Sequence, residues 1–221
     1  MCLNNLDFPK TVLLDRPTRI KLCGLTRPED ISTANELKPN YIGFVFAKKS
    51  PRYVSPETAA TLRALLDPDI ISVGVFVNED PAVVAGLLNA GTIGIAQLHG
   101  REDEDYIRTL RTLTDRPIIK AFRIDTAEDV SRASVCSADC ILVDSGAGGT
   151  GTTFDWSLLQ GLSRPFFLAG GLNLANAADA LTSVAPFAVD ISSGIETNGK
   201  KDPEKMKEFV RIVRDTDGKE Q

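Results

Sequence analysis

Eight short apolar runs rich in Val, Ile and Phe recur along this chain at intervals of about 20 to 30 residues, separated by polar loops and amphipathic stretches. They extend from Arg19 to Cys23, Tyr41 to Phe46, Ile71 to Val77, Ile93 to Leu98, Ile118 to Phe122, Ile141 to Asp144, Phe166 to Ala169 and Phe187 to Ile191. Few alternate strictly between apolar and polar residues, so each reads as a strand covered on both faces, as in a parallel sheet. A parallel sheet needs a crossover after every strand, and helix signals lie where the crossovers must be. Thr26-Arg27-Pro28-Glu29 reads as a capping box. Ser55-Pro56, Asp80-Pro81 and Asp202-Pro203 each set a capping side chain ahead of a proline suited to the first helical position. Val83, Val84, Leu87 and Leu88 form one apolar stripe at helical spacing, and Met206, Phe209, Val210 and Val213 another; both are expected to face the core.

Eight such units in about 200 residues fit a single-domain (β/α)8 TIM barrel of the α/β class better than a doubly wound sheet, which has fewer strands and one nucleotide fingerprint. No G-x-G-x-x-G follows the first run. The expected division is an N-terminal extension over residues 1–17 and a catalytic barrel over residues 18–221. The sequence leaves open whether the extension lies across the barrel bottom or is disordered.

Composition narrows the function classes. Hydrophobic residues make up 43% and charged residues 25%, as in an ordinary soluble protein, and no apolar run reaches the length of a membrane span. The start lacks the basic and apolar regions of a secretory signal, so a cytoplasmic location without membrane association is expected. Cys2, Cys23, Cys136 and Cys140 do not suggest a disulfide framework, and with a single histidine the C-x3-C spacing lacks the partners of a zinc site, so no metal is expected. A formal net charge of −5 without a basic stripe argues against a nucleic-acid partner.

A barrel carries its chemistry at the carboxyl ends of its strands. Cys23 ends the first run, Gln97 and His99 close the fourth, Asp144 ends the sixth, and Asp190 lies in the eighth. Gly170 and Gly171 leave the seventh, while Ser192, Ser193 and Gly194 leave the eighth. Small residues at those two ends let backbone N–H groups converge on an anion without a lysine, so phosphate binding is expected there. Taken singly, the same glycines could merely permit tight turns. The loop from Asp144 to Trp156, with Gly148, Gly149 and Gly151, lacks the Gly-Lys-Ser/Thr ending of a nucleotide loop and reads as a lid over the mouth. Asp155 is expected to cap the short helix that follows, with Trp156 packing beside it. Cys23 alone could equally be a small buried strand residue, and His99 alone a general base.

Six motifs in order resemble the phosphoribosylanthranilate isomerase family of tryptophan biosynthesis. They are Lys21-Leu22-Cys23-Gly24-Leu25-Thr26, Val73-Gly74-Val75-Phe76-Val77-Asn78, Gln97-Leu98-His99-Gly100, the Gly-Gly-Thr-Gly loop with Phe154-Asp155-Trp156, Ala169-Gly170-Gly171-Leu172, and the segment from Asp190 to Glu196. The likeness runs from about Arg19 to about Val213. It implies a cofactor-free barrel that converts N-(5-phosphoribosyl)anthranilate to 1-(2-carboxyphenylamino)-1-deoxyribulose 5-phosphate, an Amadori rearrangement. By the same resemblance Asp144 is the general acid and Cys23 the general base. Arg52, in Lys48-Lys49-Ser50-Pro51-Arg52, binds the substrate carboxylate. His99 lines the substrate pocket or hydrogen-bonds there, with Gln97 behind it as a further substrate-binding residue, and Asp190 meets sugar hydroxyls or supports the phosphate loop. The acid needs a raised carboxyl pKa and the base a lowered thiol pKa, with Lys21 a neighbour whose direction the sequence leaves uncertain. The expected partner is a phosphosugar, and a monomer is expected over a homodimer.

Three other readings compete. A ribulose-phosphate epimerase would want several histidines for its metal. An indole-glycerol-phosphate synthase would want lysine and glutamate in place of Cys23 and Asp144. A noncatalytic phosphate-ligand sensor would need neither residue.

Overall fold

The predicted strands pair in chain order and in parallel: β1 (Arg19–Cys23), β2 (Tyr41–Val45), β3 (Ile71–Phe76), β4 (Ile95–Leu98), β5 (Ile118–Arg123), β6 (Cys140–Asp144), β7 (Phe166–Ala169) and β8 (Ala188–Ile191). β8 returns to pair with β1 and closes the barrel, with Lys21 opposite Asp190 in the register. The computed structural model describes residue 8 and residues 17–144, 156–162 and 164–219.

Around the barrel run α1 (Pro28–Leu37), α2 (Pro56–Leu65), α3 (Pro81–Asn89), α4 (Glu104–Arg111), α5 (Ala127–Val135), α6 (Ala177–Val184) and α7 (Pro203–Lys219). Between β6 and β7 the described residues hold a 3-10 helix, Trp156–Gly161, where the sequence predicted a short helix after Asp155. Gly161 and Pro165 leave too short an uninterrupted stretch for a longer one, and Leu159 and Leu162 anchor it to the core.

Side-chain parity divides the strands into two surfaces. Outward residues such as Leu22, Ile42, Phe44, Leu98, Ile141 and Leu168 pack beneath the helices in the larger core. Inward, Tyr41, Val73, Ile95, Ile119, Leu142 and Phe167 fill the barrel. Phe8 packs edge-on against Phe167 and Phe187, with ring centres 6.2 and 6.0 Å apart, so this part of the extension meets the interior core. Nearer the carboxyl ends, Cys23, Val45 and Val75 form a separate small cluster.

The helix starts follow the sequence signals with one correction. Ser55 accepts from the Thr58 N–H at 3.2 Å, Asp80 from Ala82 at 2.7 Å, and Asp202 from Glu204 at 3.0 Å. At α1 neither Thr26 nor Glu29 forms the expected capping box. Asp30 takes the role, accepting from the Thr26 and Arg27 N–H groups at 2.9 and 3.1 Å while pairing with the Arg27 guanidinium at 2.6 Å. One carboxylate at the third helical position satisfies both orphan donors, which a threonine hydroxyl cannot do.

The α7 stripe is buried as expected, but Val83 in α3 is 46% exposed. The buried face of α3 runs through Val84, Ala85 and Leu88, and Val83 lies one helical step, about 100°, away from it. Replacing Phe209, which has no exposed surface, with alanine is therefore expected to cost about 3–5 kcal/mol in urea unfolding, whereas Val83→Ala stays within about 0.5 kcal/mol of the parent.

Candidate active site

The mouth of the barrel is built outward from β1. Its inward side chains, Lys21 and Cys23, are both buried. Cys23 lies opposite Gly43 of β2 in the register, and a β-carbon on Gly43 would stand 2.6 Å from the Cys23 sulfur. The glycine therefore makes the thiol's berth. Beyond Cys23 the chain turns through Gly24 at φ +78°, whose missing side chain gives passage to the Arg52 stem. Burial pushes the Cys23 thiol above its ordinary pKa although Lys21 and Lys201 both oppose this, so the lowered pKa expected of a base is not found. Desolvation of a thiolate outweighs two nearby ammonium groups here.

Lys21 begins a continuous polar chain. Its ammonium donates to Asp190 Oδ2 and Gln97 Oε1, each at 2.8 Å. Gln97 Nε2 stands 2.9 Å from His99 Nδ1, and His99 Nε2 stands 3.2 Å from Asp144 Oδ2. Burial works against the Lys21 charge, but Asp190 and Cys23 outweigh it and hold the ammonium above its ordinary pKa. Asp190 Oδ1 is buried with no hydrogen-bond partner among the described residues. The loop carrying His99 is held rigidly. Glu102 accepts from the Asn78 and Gly100 N–H groups at 2.6 and 2.8 Å, and buried Lys120 neutralises it at 3.1 Å.

A second ion cluster flanks the mouth. After β8 the chain forms a hairpin of β9 (Glu196–Thr197) and β10 (Lys200–Lys201), turning through Asn198 and Gly199 at φ 51° and 74°. Its register sets Glu196 opposite Lys201, whose ammonium contacts Glu196 at 2.6 Å and the Ser192 carbonyl at 2.9 Å. Arg52 grips Glu196 with Nε and Nη2, at 2.6 and 2.8 Å. Burial would raise the Glu196 pKa, but hydrogen bonds from Arg52 and Lys201 bring it down to about 2. Burial lowers the pKa of Lys201 itself. Arg52 thus sits beside the β1 end, with its Nε and Nη2 edge occupied by Glu196.

The opposite wall is uncharged. Gly170 and Gly171 take φ of 85° and 65° after β7, which residues with side chains rarely adopt. Ser192 and Ser193 follow β8. A cavity of about 190 Å³ joins this wall to Cys23, Gln97, His99, Asp144 and Asp190. The structure thus brings together nine of the residues singled out in the sequence. Gly194 instead packs behind the wall, where a β-carbon would lie 2.1 Å from the Leu172 carbonyl oxygen, so its role is to let the β7 and β8 turns touch. Gly148, Gly149, Gly151 and Asp155 lie outside the described residues, as does Cys2. Among the described residues no cluster of three or more His, Cys, Asp or Glu side chains is placed to hold a metal ion, and no helix is long and apolar enough to cross a membrane.

Sequence reasoning did not single out Gly43, Glu196 or Lys201 as site residues. A glycine inside a strand signals a close approach, and Asn-Gly between short polar runs signals a tight hairpin, so both signals were present in the sequence.

A family model described as N-(5'-phosphoribosyl)anthranilate (PRA) isomerase matches residues 20–212. The N-(5'-phosphoribosyl)anthranilate isomerase of Endomicrobium trichonymphae is 46% identical over 200 residues, covering 89% of this chain and 98% of that protein. The phosphoribosyl anthranilate isomerase structure from Thermotoga maritima superposes with a TM-score of 0.82 at 37% identity, covering 90% of this chain and 99% of the other. Another structure of such an isomerase, in complex with reduced 1-(o-carboxyphenylamino)-1-deoxyribulose 5-phosphate, gives a TM-score of 0.80 at 37% identity, with coverage of 90% and 99%.

The raised thiol pKa at Cys23 is directly measurable. Iodoacetamide labelling of the Cys23 peptide, followed by mass spectrometry across pH, is expected to reach half its limiting rate above about pH 8.5, the ordinary thiol value. A midpoint below about pH 8 would mean that Lys21 and Lys201 overcome burial.

Proposed function

This chain belongs to the N-(5'-phosphoribosyl)anthranilate isomerase family, an aldose-ketose isomerase of tryptophan biosynthesis, and we propose that Asp144 and Cys23 divide its proton transfers while the β7 and β8 turns hold the substrate phosphate. The observation that carries this reading is the shared cavity. Asp144 and Cys23 line it together with an uncharged wall of small residues.

The reaction is an internal redox change and needs no external oxidant or reductant. The Asp144 carboxyl group gives its proton to the furanose ring oxygen as the ring C1–O bond breaks, and the nitrogen lone pair forms the C1=N bond of a Schiff base. The Cys23 thiolate removes the C2 proton, and that electron pair returns through C1 to nitrogen to give an enolamine. Protonation at C1 and loss of the enol proton leave the C2 ketone, so C1 is reduced as C2 is oxidised. A thiol of raised pKa is sparsely ionised at neutral pH, yet its thiolate is the stronger base.

Substrate binding divides by charge. Backbone N–H groups of Gly170, Gly171, Ser192 and Ser193 receive the phosphate, a role suited to an acidic protein because it needs no lysine. Asp190 Oδ1, buried without a donor among the described residues, accepts from a sugar hydroxyl. Arg52 meets the anthranilate carboxylate with the N–H groups that Glu196 leaves available, since two of its five donors go to Glu196. Glu196 fixes the orientation of that guanidinium.

Generating phosphoribosylanthranilate in situ and following loss of its fluorescence tests the assignment. Folded Cys23→Ala and Asp144→Asn are each expected to lose at least about 100-fold in kcat, since positioned acids and bases contribute about 10²–10⁴. Retention of activity in either variant removes that residue from the mechanism. Gly43→Ala displaces the Cys23 sulfur without touching substrate chemistry, and is expected to lower kcat about 10-fold or more in a folded protein; unchanged turnover would show that the thiol berth is not needed.

A further inference from the structure

We propose that Lys21 is a positioning residue for the isomerisation: acting through Gln97, it fixes His99 as the neutral Nε2–H tautomer and so orients Asp144, while the same ammonium faces Cys23. The geometry stands by itself, and its catalytic meaning rests on the acid and base assignments proposed above.

The inference follows from donor and acceptor bookkeeping along the polar chain. An ammonium group can only donate. Lys21 is fully buried between Asp190 Oδ2 and the Gln97 side chain, each at 2.8 Å. The Gln97 amide must therefore turn its carbonyl oxygen to Lys21, because the flipped amide would set two donors face to face. Its NH2 group is then the one 2.9 Å from His99 Nδ1. That group has no accepting capacity, so Nδ1 must supply a lone pair. A neutral imidazole with a bare Nδ1 carries its proton on Nε2, which donates to Asp144 Oδ2 at 3.2 Å. Every polarity from Lys21 on β1 to Asp144 on β6 is thus dictated by one buried charge.

The arrangement suits an acid that must release a proton. When Asp144 protonates the ring oxygen, negative charge develops on its carboxyl group, and the Nε2–H donor strengthens its bond to that group in place. His99 keeps its own proton throughout. A second proton on Nδ1 would face the Gln97 NH2, two donors with no acceptor between them.

The chain contains a single histidine, so one labelled residue reports the outcome. With 15N-histidine in the substrate-free protein at about pH 8, above the ordinary imidazole pKa, long-range proton–nitrogen correlation spectra are expected to show Nε2 protonated and Nδ1 bare. Gln97→Glu places an acceptor against Nδ1 and is expected to put a proton there, with a kcat loss of about 10-fold or more. An Nδ1–H tautomer or an imidazolium in the wild type overturns the proposal, and so does a Gln97→Glu spectrum unchanged from the wild type. The wild-type spectrum decides even if Gln97→Glu does not fold. Failure of the acid and base assignments would appear separately, as activity in Cys23→Ala or Asp144→Asn with the wild-type tautomer as expected.

Discussion

An ion pair buried inside the barrel, Lys21 with Asp190 at 2.8 Å, is the constraint on which the catalytic end of this fold depends. It joins the first strand to the last, at the seam where the sheet closes, and the register brings the two residues directly opposite. Two charges out of water are costly, and removing one partner of such a pair generally destabilises by about 3–5 kcal/mol. An apolar pair of similar volume would fill the same space at no such risk. What the apolar pair could not supply is direction. The ammonium orients the Gln97 amide and acts electrostatically on the Cys23 thiol, and Asp190 holds it in place while keeping one oxygen for a further donor.

The mouth above that pair separates two tasks. The proposed base and acid stand at the ends of β1 and β6, and burial dominates the protonation of the Cys23 thiol. The wall formed after β7 and β8 has small residues and no charged side chain. Between them the ion cluster of Arg52, Glu196 and Lys201 ties the β2 loop to the β8 hairpin. Its two cations leave a net positive charge at that edge even though the whole chain is acidic. An anion at the mouth would meet local donors and cations rather than a basic surface, a way for a protein of net charge −5 to bind one.

Much of this was legible in the sequence, because strand parity and apolar runs are local signals. The eight strands, the proline-marked helix starts, and the strand-end Cys23, His99, Asp144 and Asp190 could all be read without coordinates. The direction of Lys21 could not, because it depends on which face of β1 turns inward once β8 closes the barrel. Gly43 acquires its meaning only from a register that sets it against Cys23. Arg52 was recognisable as a cation near the mouth, but its engagement with Glu196 links residues far apart in sequence. Val83 and the α1 cap were misread for a simpler reason. Spacing alone does not fix how far a helix is rotated about its axis, nor which of several nearby polar side chains reaches the free N–H groups.

The thiol poses the sharpest physical tension in the site. Lowering its pKa would populate the thiolate at neutral pH but weaken it as a base, and burial does the reverse. Lys21 and Lys201 prevent burial from removing the thiolate altogether, while Asp190 limits how far they can lower the pKa. A substrate carrying a phosphate and a carboxylate would add more negative charge near the same sulfur and oppose its ionisation further. Ionisation of Cys23 therefore depends on cations that the substrate cannot displace, and Lys21, sealed beneath the thiol with no exposed surface, meets that condition. Arg52 does not, because it lies partly exposed at the rim.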